Sequence, residues 1–134
     1  MSPDRERLKA AAREAAKASY SPYSRFRVGA ALLASDGSVI TGTNVENRSF
    51  GLTICAERSA VVQAVSRGLR SFAAVAVHCP DSEQPIAPCG ACRQVLSEFA
   101  PPETPVLCSG RSGELETTLG ELYPFDSLRE LKDR

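Results

Sequence analysis

The sequence predicts an α/β fold in which a five-stranded mixed sheet carries helices on both faces. Three observations carry this. Helical periodicity recurs in three separated stretches, short apolar runs lie between them, and the last two runs sit too close together for a helix to join them. Residues 4–19 place Leu8, Ala11, Ala12, Ala15 and Ala18 at three- and four-residue spacing among Arg, Glu and Lys, an amphipathic helix that stops before Tyr20-Ser21-Pro22-Tyr23. Residues 28–34 and 39–43 read as strands, and Ser35-Asp36-Gly37-Ser38 between them has the Asp-Gly chemistry of a hairpin turn. A loop over 44–52 leads to a helix with Thr53 as N-cap and Gly68 as its C′ stop. Residues 72–77 are apolar on both alternate sets, as in a strand covered on both faces, and the preceding helix suits a right-handed crossover. Cys92, Val95, Leu96 and Phe99 form one helical stripe that Pro101-Pro102 ends. Strands over 106–109 and 115–119 follow. Residues 110–114 are too few for a helical crossover, so the last two strands are expected to be antiparallel. A short helix is expected to close the chain after Pro124. There is no repeat, low-complexity segment or linker, and 134 residues predict a single domain over 1–134 with enough chain for a core.

Composition narrows the partners. The chain is 43% apolar and 24% charged, near globular averages, and no apolar run approaches the roughly 20 residues a membrane span needs. Lys plus Arg equals Asp plus Glu at 16 each, which gives no electrostatic reason to expect a nucleic-acid backbone as partner and favours a free small molecule. No apolar segment follows the opening Met-Ser-Pro-Asp-Arg-Glu, so the reading is a cytoplasmic protein without a secretory signal.

Five cysteines are an odd number, and three of them cluster in two motifs, Thr53-Ile54-Cys55-Ala56-Glu57-Arg58 and Pro88-Cys89-Gly90-Ala91-Cys92. That is metal or redox usage rather than a disulfide framework. Cys79 and Cys108 each end an apolar run and read as small core residues, and His78, the only histidine, reads as a structural imidazole at a strand end. Cys55, Cys89 and Cys92 would hold one zinc ion per chain and leave a fourth position for water, whose pKa the metal lowers towards ~7. Three thiolates leave the site formally negative, which opposes that ionisation. Two features counter it: both motifs lie at predicted helix N-termini, whose dipoles favour anions, and Arg58 follows Cys55 by one turn. Glu57 reaches the open position from the same first turn without binding metal, so it can take the proton from water and pass it on.

Other readings exist for each feature. A C-x-x-C pair serves structural zinc or redox chemistry elsewhere, but structural zinc would draw its fourth ligand from Cys79, Cys108 or His78, all strand residues, and a redox pair leaves Cys55 and Glu57 unexplained.

C-x-E followed by P-C-x-x-C is the arrangement of zinc nucleobase deaminases, and the whole chain resembles the small, homotetrameric cytidine deaminases. The resemblance extends through Tyr20-Ser21-Pro22-Tyr23-Ser24-Arg25-Phe26-Arg27-Val28-Gly29-Ala30-Ala31-Leu32, Asn44-Val45-Glu46-Asn47 and Pro88-Cys89-Gly90-Ala91-Cys92-Arg93-Gln94. It implies a three-layer α/β/α fold. It further implies hydrolytic deamination of cytidine and 2′-deoxycytidine to the uridines and ammonia, with a zinc-bound hydroxide attacking C4 and Glu57 shuttling protons among water, N3 and the leaving amine. Phe26 would pack near the pyrimidine, Ala56 would contact the nucleoside, and Asn44 and Glu46 would hold the ribose 3′-hydroxyl. The alternative for these two is that Asn44 caps a turn and Glu46 is solvated. After Glu46-Asn47 the family usually has Ala, a small residue and Tyr, whereas this chain has Arg48-Ser49-Phe50, in a loop that reaches a neighbouring subunit's site in the family. Leu122-Tyr123-Pro124-Phe125 resembles the family's ending, in which Phe125 would cover a neighbour's pocket. Two other functions share the core motifs: deamination of a cytosine-containing antibiotic such as blasticidin S, and non-catalytic zinc or nucleoside binding.

Overall fold

The computed structural model describes residues 3–131. Helix α1 (Pro3–Ala15) leads into the hairpin strands β1 (Gly29–Ala34) and β2 (Val39–Thr43); α2 (Ala56–Ser66), β3 (Phe72–His78), α3 (Gly90–Ser97), β4 (Pro105–Ser109), β5 (Glu114–Thr118) and α4 (Leu119–Leu122) follow. The strands form one sheet in the order β2-β1-β3-β4-β5. β1 is antiparallel to both β2 and β3, β3 and β4 are parallel, and β4 and β5 are antiparallel as the short connection requires. Because β2 and β3 both oppose β1, they run parallel to each other, and α2 is the crossover that joins them.

Alternation along the strands sorts the core into two layers. Ala30, Leu32 and Ala34 of β1, Val75 and Val77 of β3, and Val106 and Cys108 of β4 face one side, where they meet Ala56, Ala60, Val61 and Ala64 of α2 and Leu96 of α3. Ala31, Ala74, Ala76 and Leu107 face the other side and meet Leu8 and Ala12 of α1. Small residues let the helices lie close. A Cβ added at Gly42 of β2 would stand 2.4 Å from the Ala60 nitrogen and 2.5 Å from the Ala56 carbonyl oxygen, so the first turns of α2 ride directly on this glycine. The helix that carries two of the motif residues is thereby fixed against the sheet at its N-terminal end.

Element boundaries depart from the sequence reading in three places, each with a tertiary cause. The α-helical part of the first helix ends at Ala15 and tightens into a 3₁₀ turn over Ala16–Ala18, because Tyr20 is drawn into extended pairing with Asn44 and Glu46. Thr53 is not the cap of α2: Ile54 exchanges both backbone hydrogen bonds with Val45, so the helix cannot begin before Cys55, which takes the N-cap position. A helical turn, α4, forms before Pro124, where the sequence predicts a strand to residue 119, and the short helix expected after Pro124 runs into residues outside the described ones. Leu119 and Gly120 donate to the carbonyls of Thr104 and Pro102, leaving the β5 ladder, and Thr118 Oγ1 caps the turn by accepting from the Glu121 N–H. Beyond Pro124 the Arg129 and Leu131 N–H groups donate to the carbonyls of Asp126 and Leu128. The C-terminal stop of α2 is as read: Gly68 (φ 86°) donates to Val65 and Leu69 to Ala64, the paired bonds of a Schellman motif.

Candidate active site

Cys55 and Cys89 are the N-caps of α2 and α3, and Cys92 lies on the first turn of α3, wholly buried. The two helices converge so that the three sulfurs lie within 4.8 Å of one another; Cys55 and Cys89 are 3.8 Å apart and Cys89 and Cys92 3.5 Å. Zinc–sulfur bonds of about 2.3 Å in a tetrahedron imply sulfur–sulfur edges of about 3.8 Å, so this donor set has the right chemistry and span for one zinc ion. All five thiols are free, and Cys79, Cys108 and His78 are buried strand-end residues as expected. His78 Nδ1 pairs with Ser109 Oγ at 2.8 Å, and burial lowers its pKa.

The electrostatics favour an anionic cluster beginning at Cys55. Its hydrogen bond with Cys92, helped by that with Arg58, pulls the Cys55 thiol down to about 5 against the opposing effect of burial. Arg58 Nη2 donates to Cys55 Sγ at 3.3 Å, and this bond keeps the guanidinium firmly charged. Cys92 moves the other way: as the hydrogen-bonding partner of the Cys55 thiolate, and buried, it holds its proton. A divalent cation held by the three sulfurs would supply the charge that favours the fully deprotonated cluster.

Glu57, 4% exposed, follows the Cys55 cap by two residues and lines a cleft of about 470 Å³. Burial pushes its carboxyl up to about 7, with the Cys55 thiolate adding to the rise and its own backbone N–H and Arg58 opposing it. A carboxyl that exchanges its proton near neutrality suits general acid–base work.

The cleft joins these groups to most of the other residues singled out in the sequence. Phe26, Asn44, Glu46, Cys55, Ala56, Glu57 and Cys89 all line it. Phe125 does not; it is 89% exposed on the segment after α4. Asn44 is buried and its amide is largely committed: Oδ1 accepts from Ser19 Oγ (2.5 Å) and the Val28 N–H (3.0 Å), and Nδ2 donates to the Phe26 carbonyl (2.8 Å). One Nδ2 hydrogen is left to offer. Glu46 accepts from the N–H groups of Tyr23 (2.9 Å) and Ser24 (3.2 Å) at Oε1 and from Ser24 Oγ at Oε2, and the Ser24 hydroxyl is the main cause of its lowered pKa. It therefore stays an ionised acceptor. These bonds also hold the 21–27 turn, in which Arg25 adopts a left-handed φ of 59°.

Sequence reasoning missed the opposite wall. Ile86 and Ala87 line the cleft from the loop before α3, and Ser24 and Thr53 complete it. Arg27 secures the two walls to each other through a paired contact with Asp81, Nε to Oδ2 at 2.9 Å and Nη2 to Oδ1 at 2.7 Å. Loop residues 80–88 show no periodicity, and only their nearness to the P-C-x-x-C motif could have flagged them.

Comparison with known proteins agrees with this geometry. The family model described as the cytidine and deoxycytidylate deaminase zinc-binding region matches residues 2–108. A cytidine deaminase of Halalkalibacterium halodurans is 51% identical over 122 residues, covering 90% of this chain and 92% of that protein. The crystal structure of a cytidine deaminase from Burkholderia pseudomallei superposes with a TM-score of 0.85 at 45% identity, covering 92% of this chain and 98% of the other. A blasticidin-S deaminase of Bacillus cereus is 34% identical over 112 residues, 78% of this chain and 79% of that protein. A match that spans most of the sequence, and that includes the three thiols and the buried carboxyl, places this chain in the cytidine deaminase family.

Proposed function

We propose that the protein catalyses the hydrolytic deamination of cytidine and 2′-deoxycytidine to uridine and 2′-deoxyuridine with release of ammonia. The observation that carries this reading is a buried carboxyl, Glu57, beside a three-thiol cluster, with Glu57, Cys55 and Cys89 all lining a nucleoside-sized cleft. Cys55, Cys89 and Cys92 would hold one zinc ion, which supplies a Lewis acid that makes water acidic at neutral pH. The chain's own residues do the rest. Glu57 takes a proton from water and gives it to N3 of the ring as the water oxygen bonds to C4, then takes the second proton from the new C4 hydroxyl and passes it to the exocyclic amine, whose bond to C4 breaks to release ammonia and leave a C4 carbonyl. Phe26 and Ala56 pack the base. Glu46 accepts a hydrogen bond from the ribose 3′-hydroxyl while the remaining Asn44 N–H donates to it. The helix N-termini at Cys55 and Cys89, with Arg58, offset the thiolate charge.

Residues 1–134 act as one catalytic domain that assembles as a homotetramer. Exposed apolar side chains beside the cleft support the assembly, notably Phe50 (74% exposed), Leu52 (64%) and Tyr23, whose ring meets Phe50 edge-on at 5.8 Å. Phe125, exposed and not part of its own cleft lining, would then cover a neighbour's. Five free thiols suit the reducing cytoplasm. The 34% identity to a blasticidin-S deaminase keeps one second reading open, deamination of that antibiotic. Parallel assays with cytidine, 2′-deoxycytidine and blasticidin S separate the two: turnover of the nucleosides supports the proposal, and turnover of the antibiotic alone contradicts it.

A further inference from the structure

Three sulfurs of the cluster are not held equally. Cys92 is enclosed on α3, and Cys55 receives the Arg58 guanidinium, but Cys89 is exposed at the junction between an irregular loop and a helix. Something else must orient it. Arg93, one turn on, binds the peptide carbonyls on both sides of the Cys89 Cα: its backbone N–H donates to the Cys89 carbonyl at 2.9 Å and its side-chain Nε to the Pro88 carbonyl at 2.7 Å. With both flanking peptide planes fixed, the direction of the Cys89 Cα–Cβ bond is fixed too, since only two soft dihedrals lie between them. The same guanidinium reaches away from the cluster. Arg93 Nη1 donates to the Leu122 carbonyl at the end of α4 at 2.8 Å, and the neighbouring Gln94 accepts from the Tyr123 hydroxyl at 2.6 Å.

We infer that Arg93 is a positioning residue for the metal site, bracing the Cys89 thiol against the C-terminal α4 segment. The inference rests on Cys89 being a zinc ligand. A planar guanidinium with donors at fixed angles spans two carbonyls at once, whereas an ammonium reaches one of them as a point charge. Loss of such an outer partner typically weakens a metal site by ~10- to 100-fold. Arg93 touches no cleft surface, so its effect is on retention and geometry of the metal instead of on substrate contacts.

The test is the rate of zinc release from the loaded protein to excess chromophoric chelator, together with the visible spectrum of the cobalt-substituted protein, whose ligand-field and thiolate charge-transfer bands report ligand geometry. Arg93→Ala should release zinc at least ~10-fold faster than the parent and shift the cobalt bands, with Arg93→Lys between the two. Tyr123→Phe breaks the neighbouring link to α4 without touching the peptides around Cys89, and should stay within about twofold of the parent if the Arg93 effect is specific. Parent-like release and spectrum in Arg93→Ala would overturn the inference, as would equal acceleration in Tyr123→Phe. Should Arg93→Ala not fold, Arg93→Lys decides, and parent-like release there overturns it. Cys89→Ala separates this inference from the reading beneath it: if that variant keeps zinc as the parent does, Cys89 is not a ligand, and if it loses zinc while the Arg93 variants hold it, only the brace is wrong.

Discussion

At the scale of single residues, the proposed function assigns the chemistry to Glu57 and the recognition to Asn44 and Glu46. Glu57→Gln should bind zinc and fold normally yet lose more than ~100-fold in turnover, because an amide cannot cycle a proton between water and base. Single-turnover kinetics on the zinc-loaded variant checks this, and turnover within tenfold of the parent would make Glu57 a packing residue. The sugar contacts predict an asymmetry. Glu46→Ala should cut kcat/KM steeply for cytidine and far less for 3′-deoxycytidine, since a site built to hydrogen-bond a hydroxyl can reject the analogue lacking it by ~10⁴-fold. Equal losses for both substrates would show that Glu46 serves only the 21–27 turn. The chemical residues were legible because their spacing is local: a thiol, a carboxyl and an arginine on one helical turn declare themselves. The engagement of Asn44 was not, because its partners Ser19, Phe26 and Val28 lie far off in sequence and meet it only after the hairpin forms.

At the scale of elements, the approach of α2 to β2 decides where two of the motif residues stand. Gly42→Ala inserts a methyl where the Ala56 carbonyl already lies, and should destabilise by about 1–3 kcal/mol, as overpacking does, while lowering activity through displacement of Cys55 and Glu57. Urea denaturation and zinc content measure the two effects. The Arg27–Asp81 contact between the cleft walls makes a separate prediction in pH. Hydrogen bonds from Arg27 hold Asp81 down at about 2, well below its ordinary 3.8, so the stabilisation is complete above the ordinary value and is lost as pH falls through the lower one. The stability difference between the parent and Asp81→Asn should therefore shrink between about pH 4 and pH 2. A constant difference across that window would mean that the contact adds no proton-linked stability. Element type was readable from periodicity and turn chemistry for the five strands and the first three helices, including the Asp36-Gly37 turn and the Gly68 stop, but not for α4. Boundaries failed wherever a backbone bond from elsewhere intervened, as Val45 does at Ile54 and Pro102 at Gly120.

At the scale of the whole molecule, the sheet order places the crossover helix α2 beside α3, so cysteines far apart in sequence meet on one face while α1 closes the other. The layered plan was legible from the sequence because strand runs apolar on both alternate sets require cover on both sides. The exposed position of Phe125 beyond α4 was not, since a side chain outside the core leaves no periodic trace. Sedimentation equilibrium should find a tetramer, and Phe50→Ser or Phe125→Ala should shift it towards smaller species or raise KM; an active monomer would rule the shared-site arrangement out. Deamination is read most directly from the ultraviolet absorbance of cytidine incubated with protein carrying one zinc per chain. Cytidine absorbance should fall with one ammonia released per nucleoside, and both changes should vanish in Cys89→Ala; a zinc-loaded protein that leaves cytidine and 2′-deoxycytidine unchanged would not be a cytidine deaminase in function.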